Sequence, residues 1–232
     1  MTSHVRADGR AADALRPVTI SVDAQRHPVG SAIVTFGNTK VLCAVSYEDG
    51  APKFRGAGGW LTAEYSMLPG STDSRARRDR NGPSGRSKEI ERLIGRSLRA
   101  AVNLDALQDC TLTVDCDVLE ADGGTRTAAI TGGWVALARA LRAIDAEHAL
   151  VAQVAAVSVG IVDSQPVVDL PYAEDAVAGV DMNVVATADG AFIEVQGTAE
   201  GAAFRRDELD AMLDLAERGC TQLFDLQRAA LD

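Results

Sequence analysis

Apolar and polar positions alternate along several stretches of the first third of the chain. In "RPVTISVD" and "GSAIVTFGNTKVLCAVSYE" β-branched and apolar residues recur with strand spacing, and Gly37-Asn38 supplies a turn between two strands. "WLTAEYSML" predicts another strand. "CTLTVDCDVL" sets Thr111, Thr113, Asp115 and Asp117 on one face and Leu112, Val114, Cys116 and Val118 on the other. The period then changes. From Gly85 to Val102, Ile90, Leu93, Ile94, Leu98, Ala101 and Val102 fall at helical spacing, which predicts an amphipathic helix. A second helix is predicted over Thr127 to Ile144, with its first turn near Thr125. A third follows Asp207 as N-cap, with Leu209, Met212, Leu213, Cys220, Leu223, Phe224 and Leu231 on its apolar side. Between the last two, "QVAAVSVGIVD", "QPVVDL", "MNVVATAD" and "AFIEVQG" are strand-like. Two strand-rich halves, each covered by helices, make an α+β arrangement.

Composition changes this picture little. A hydrophobic fraction of 47% over 232 residues is enough to bury a sizeable core. Cys43, Cys110, Cys116 and Cys220 are scattered, with no CxxC spacing, and predict reduced core thiols; His4, His27 and His148 are too dispersed for a metal cluster. The polar start has no apolar leader, and Ala149 to Val162 is too short an apolar run to span a bilayer, so a soluble, cytoplasmic protein is expected.

Charge changes it more. The net charge of −10 argues against a general coat for nucleic acid. Yet Ser71 to Arg99 holds nine basic residues against four acidic ones, and no Lys or Arg falls between Arg142 and Arg205, where ten Asp and Glu do. A positive island on an acidic body suits a local polyanion contact; a charged loop joined to a solvated helix face gives the same pattern. The loop Pro69 to Gly85, polar and basic, is expected to be mobile.

The stretch "LEADGGTRTAAITGGW" carries the clearest candidate chemistry. A helix starting near Thr125 leaves its first N–H groups without intrahelical partners. Gly123 and Gly124 let a ligand approach them, and Arg126 adds a planar cation matched to phosphate oxygens. An ordinary turn capped by threonine fits the same residues. Gly85-Arg86 repeats the theme at the start of the first helix. Gly132-Gly133 costs about 1 kcal/mol per glycine relative to alanine, which predicts close packing of that helix against a neighbour. Asp175 and Asp181, in the cation-free stretch, are candidates for Mg²⁺ or proton transfer, while Glu174 and Asp175 also suit a solvated turn. GxSxG, Walker A and HExxH signatures are absent.

Taken in order, "LRPV", "GSAIVTFGNTKVLCAVS", "GWLTAEYSMLP", "EIERLIGRSLRAAV", "TVDCDVLEADGGTRTAAITG", "VAAVSVGIV", "VDMNVVAT" and "EVQGTAEG" closely resemble the ribonuclease PH family of phosphate-dependent exoribonucleases, over nearly the whole chain. The resemblance implies one domain over residues 1–232 built of two pseudo-repeated β-α halves, about 1–145 and 146–232, assembled as a hexameric ring, a trimer of dimers. It implies phosphorolytic 3′–5′ trimming of RNA, tRNA precursor 3′ ends beyond CCA above all, with release of nucleoside diphosphates. It also implies reversal of that reaction and a role in rRNA processing or degradation. It assigns inorganic phosphate to Arg86, Gly124, Thr125 and Arg126, Mg²⁺ and catalysis to Asp175 and Asp181, and RNA contact to Arg75, Arg77, Arg78 and Arg80. The chain departs from the family in a slightly shorter basic loop, a short segment at Ala143 to Val151, and Glu120 where glutamine is more usual. Two other functions remain to be weighed: a non-catalytic RNA-binding ring subunit, against which both the arginine and aspartate sets stand, and a hydrolytic metal nuclease, which needs more carboxylates.

Overall fold

The alternation near the N-terminus folds into one mixed sheet. A computed structural model describes Arg6, residues 8–78 and residues 82–232. β1 (Val18–Val22), β2 (Gly30–Phe36) and β3 (Thr39–Asp49) run antiparallel, the last two joined at Gly37, whose φ of +55° suits the expected turn. β4 (Trp60–Met67) lies at the far edge, parallel to β5 (Cys110–Glu120), which pairs antiparallel with β3; the order is β1-β2-β3-β5-β4. The second half forms an antiparallel sheet of β6 (Val154–Val162), β7 (Gln165–Val168), β8 (Val180–Thr187) and β9 (Phe192–Ala199), in the order β7-β6-β8-β9. The fold is α+β.

Between the sheets lie α1 (Gly85–Arg99), α2 (Thr125–Ala143) and α4 (Arg206–Leu231); a short α3 (Tyr172–Asp175) sits before β8. α1 packs on β4 and α2, α2 on β2, β3 and β6, and α4 on β6, β7 and β1. Because α2 meets both sheets, it is buried without a break from Thr127 to Ala138. Its small residues make that possible. A Cβ on Gly132 would stand 2.6 Å from Val34 Cγ1, so the glycine pair does serve close packing. The Thr131 hydroxyl donates to the carbonyl of Ala156 and accepts from its N–H, both at 3.1 Å, tying α2 to β6. Gln227 of α4, fully buried, donates to the carbonyls of Thr131 and Val154 at 3.0 and 2.9 Å. One hydrophobic cluster, from Val34 and Leu61 through Trp134 to Val184 and Leu223, runs through both halves.

The structure corrects several helix ends. α1 stops at Arg99, and Ala101 and Val102 stay buried in the turn beyond it. α2 begins at Thr125, where its first turn is expected, and ends at Ala143, one residue short of Ile144. The cap of α4 is Arg205, not Asp207: the Glu208 carboxylate accepts the Arg205 N–H at 2.7 Å, while Asp207 pairs with the Arg205 guanidinium. α3, four residues long, is too short to leave a period in the sequence. All four cysteines are buried free thiols, as expected. Among the described residues no helix is long and apolar enough to cross a membrane.

On the face of β5 turned away from the helices, Asp115 lies opposite Glu64 of β4 and two residues from Asp117. Burial first, then repulsion from Glu64 and Asp117, pushes its carboxyl up to about 6, against a hydrogen bond from Ser46. Its folded pKa is thus raised, so ionising it costs stability. That cost is absent below the unfolded value near 4 and complete above about 6. Asp115→Asn is therefore expected to raise the melting temperature at pH 8 and leave it nearly unchanged at pH 4, by thermal denaturation followed by circular dichroism. A pH-independent effect would contradict this.

Candidate functional site

The turn between β5 and α2 is shaped by two successive glycines in the left-handed region, Gly123 at φ +73° and Gly124 at φ +64°. Residues with a Cβ rarely adopt that conformation. Gly123 is held by space as well: a Cβ there would stand 2.4 Å from the Leu170 carbonyl oxygen. The Asp122 N–H donates to Thr39 Oγ1 at 2.9 Å, and the Thr39 hydroxyl donates to the Gly123 carbonyl at 2.7 Å. The carbonyls of Asp122 and Gly123 also accept from the buried guanidinium of Arg16. With those carbonyls engaged, the N–H groups of the first turn of α2 are left as the free dipole end of the helix.

Arg16 does more than hold this turn. Its guanidinium and its backbone N–H reach the Asp169 carboxylate at 2.7 to 3.0 Å, and Arg10 contacts the same carboxylate at 3.3 Å. Asp169 itself is buried with φ +56°, a conformation this ring of donors stabilises. A few residues on, Glu174 of α3 is 3% exposed and paired with the equally buried Arg6 at 2.6 Å; Arg6 also donates to the carbonyls of Val168 and Asp169. The cation-free stretch therefore has cations after all, supplied from the N-terminal segment. Glu174 is no solvated turn residue.

Asp175, at the end of α3, and Asp181, on β8, remain without such a partner among the described residues. Burial raises the Asp175 carboxyl, with Arg126 and Arg86 opposing. Asp181 is pushed up to about 6, by burial first and then by Asp175, again against Arg126 and Arg86. Each carboxylate thus lies within electrostatic reach of both arginines. A cleft of about 870 Å³ contains Arg86, Gly124, Thr125, Arg126, Asp175 and Asp181 in its walls. The two helix starts and the two aspartates converge on one space.

Within the cleft the two arginines differ. Arg86 follows the Ser84 cap of α1, is exposed, and has no ion-pair partner among the described residues. Arg126 is held from two sides. Gln196 of β9 accepts from it at 3.2 Å and donates to Glu89 of α1 at 3.0 Å, while Glu89 lies 3.7 Å from the guanidinium. Behind the helix start, the buried Tyr65 hydroxyl is 2.8 Å from Thr125 Oγ1. Arg75, Arg77 and Arg78 are exposed on the basic loop and do not line the cleft, where that loop contributes Ser71, Thr72, Asp73 and Ser74 instead. Arg80 lies outside the described residues. Along α1, Arg92 and Arg96 are exposed, Arg96 pairing with Glu194 at 2.8 Å, whereas Arg99 is half-buried and lies over the Trp60 ring at 4.9 Å while donating to the Leu61 carbonyl. Pattern reading singled out the cleft residues but missed Arg6, Arg16, Tyr65, Glu89, Asp169 and Gln196. A lone arginine before a proline was the only trace Arg16 left.

Models of the 3′ exoribonuclease family match residues 14–142, as its domain 1, and residues 152–219, as its domain 2. A protein of Corynebacterium efficiens named ribonuclease PH is 54% identical over 239 residues, covering 99% of this chain and 98% of its own length. The crystal structure of rice (Oryza sativa) Rrp46 superimposes with a TM-score of 0.82 at 20% identity, covering 98% of this chain and all of that one. The Archaeoglobus fulgidus exosome with RNA bound to the active site gives 0.78 at 22% identity, over 94% of this chain and 90% of that one.

Breaking the pair beneath the cleft tests its structural role. Asp169→Ala is expected to lower the unfolding free energy by about 3–5 kcal/mol, because it strands a buried guanidinium. Urea titration would read the loss, and a change below about 1 kcal/mol would mean that the pair does not secure the turn.

Proposed function

Because the chain belongs to the 3′ exoribonuclease family, and specifically to ribonuclease PH, we infer that this cleft is where a phosphorolytic 3′–5′ exoribonuclease does its work. The convergence of two helix-start arginines with a partnerless aspartate pair in one cleft supports the assignment of roles that follows.

Inorganic phosphate sits against the α2 start, with Arg86, Arg126, the Thr125 hydroxyl and the N–H groups that follow Gly124 around it. Charge neutralisation is the main task, since a phosphate dianion must approach an anionic phosphodiester. One phosphate oxygen attacks the phosphorus of the last linkage. The bond from that phosphorus to the 3′ oxygen of the preceding nucleotide breaks, and the electron pair leaves on that oxygen. A nucleoside diphosphate departs and the RNA ends in a 3′ hydroxyl, one residue shorter. The departing oxygen needs a proton, and Asp181, in the wall of the cleft, is the group assigned to give it. Run backwards, the same arrangement extends RNA from nucleoside diphosphates.

Asp175 and Asp181 also suit Mg²⁺. Two half-buried carboxylates, the charge of Asp175 raising the carboxyl of Asp181, form a donor set of the kind this ion takes in a cleft open to phosphate oxygens. Among the described residues no group of three or more Asp, Glu, His or Cys gathers as a cage, so substrate oxygens and water would complete the shell. When bound, Mg²⁺ would steady the charge developing on the transferring group.

The wider setting belongs to the same proposal. The substrate is RNA, tRNA precursor 3′ ends above all, steered by the exposed Arg75, Arg77 and Arg78 and by Arg80. Self-association gives a hexameric ring of three dimers, supported by likeness to exosome subunits. The two halves act as one domain, supported by their shared core. Buried free thiols suit the reducing cytoplasm.

Labelled RNA separates the outcomes. Nucleoside diphosphates should appear only when phosphate is added; monophosphates released without it would establish a hydrolase instead. Arg126→Ala is expected to raise the KM for phosphate by about 10–100-fold, the scale of a hydrogen bond to a charged group, with far less effect on RNA retention. Equal losses in both would remove Arg126 from the phosphate site. Asp181→Asn should cut kcat by about 10²–10⁴-fold while light scattering still finds the ring, and near-normal turnover would exclude it as the proton donor.

A further inference from the structure

Tyr65 takes no part in the chemistry above, and it does not line the cleft. It stands on β4 with its ring in the core, 4% exposed, and its hydroxyl 2.8 Å from Thr125 Oγ1. Distance alone allows either oxygen to donate. We propose that Tyr65 is a positioning residue for the anion site: it donates its proton to Thr125 Oγ1, and so turns the Thr125 hydroxyl into a dedicated donor toward phosphate. This rests on the phosphate assignment made above.

Three observations set the direction of that bond. A buried hydroxyl proton needs an acceptor, and Thr125 Oγ1 is the partner Tyr65 has among the described residues. Burial raises the phenol above its ordinary value near 10, so it holds its proton at neutral pH. Thr125, by contrast, faces the cleft, where an incoming oxyanion brings acceptors in plenty. If Thr125 donated to Tyr65 instead, the phenol proton would be buried without a partner. Lone pairs of Thr125 would then point at an anion. With Tyr65 donating, the helix-start N–H groups, the two guanidinium groups and the Thr125 hydroxyl all present protons to the same space. Donors gathered at this end of the cleft favour an oxyanion over ligands that bring protons of their own.

Steady-state kinetics and phosphate-dependent thermal stability together test this. Tyr65→Phe keeps the ring in the core and removes the oxygen. It is expected to raise the KM for phosphate roughly 3–10-fold, the scale of one neutral hydrogen bond, with kcat and the KM for RNA within twofold of the parent. Thr125→Ser keeps a hydroxyl and should retain the sensitivity to Tyr65→Phe; Thr125→Ala should abolish it, so that the double variant is no worse than Thr125→Ala alone. Losses that multiply in the double variant, an unchanged phosphate KM in Tyr65→Phe, or an equal rise in the KM for RNA would each overturn the proposal. The rise in melting temperature with added inorganic phosphate reads binding without turnover. If that rise is weakened by Tyr65→Phe but the parent yields no phosphate-driven product, phosphorolysis fails and the role of Tyr65 stands. If phosphate does not stabilise the parent at all, both fall.

Discussion

The ion pair between Arg16 and Asp169 fixes the geometry of everything around the cleft. Both groups are buried, and taking two charges out of water costs several kcal/mol each before their attraction returns any of it. What the pair supplies is position. One guanidinium reaches two carbonyls of the turn that starts α2 and both oxygens of a carboxylate on the connection that leads to α3. The turn presents the bare N–H end of α2, and the connection leads into α3, which carries Asp175. Arg6 and Glu174 repeat the device one step along the chain. Replacement by apolar residues would not reproduce it, because apolar contacts do not orient a carbonyl.

Helix α2 sets the second constraint. A helix packed between two sheets must be small along most of its length, and its run of alanine, glycine and threonine is the result. The same helix presents its N-terminus at the mouth of the cleft. Packing and the cleft thus draw on different parts of one element: the middle is narrow enough to pass between the sheets, and the start offers bare N–H groups, a hydroxyl and a cation.

The alternating strands and the amphipathic helices α1 and α4 were legible in the sequence because each carries its own period, and Leu112, Val114, Cys116 and Val118 show that period in burial as clearly as in pattern; β6 and α2, buried along most of their length, were legible from composition instead. The glycine turn and its arginine were legible too, since backbone freedom and charge are local properties. Asp207 misled because a capping residue competes with its neighbours: the Glu208 carboxylate reaches back and moves the helix start. Arg6, Arg16 and Tyr65 were invisible for a different reason. Each acts on a residue 60 to 168 positions away, and no local pattern records such a distance. The resemblance to ribonuclease PH placed the cleft residues, but the contacts that hold them are a property of the folded chain.

The two arginines of the cleft and its half-buried aspartate pair have separate origins. Arg86 and Arg126 come from the segment before β6, Asp175 and Asp181 from the segment after it. A fragment ending at residue 143 would keep both arginines and the bare start of α2 without the aspartate pair; one beginning at residue 152 would keep the pair without those arginines. The cleft therefore belongs to the seam, and an insertion that altered the spacing of the halves would part its two sets of side chains while leaving each half's own residues untouched.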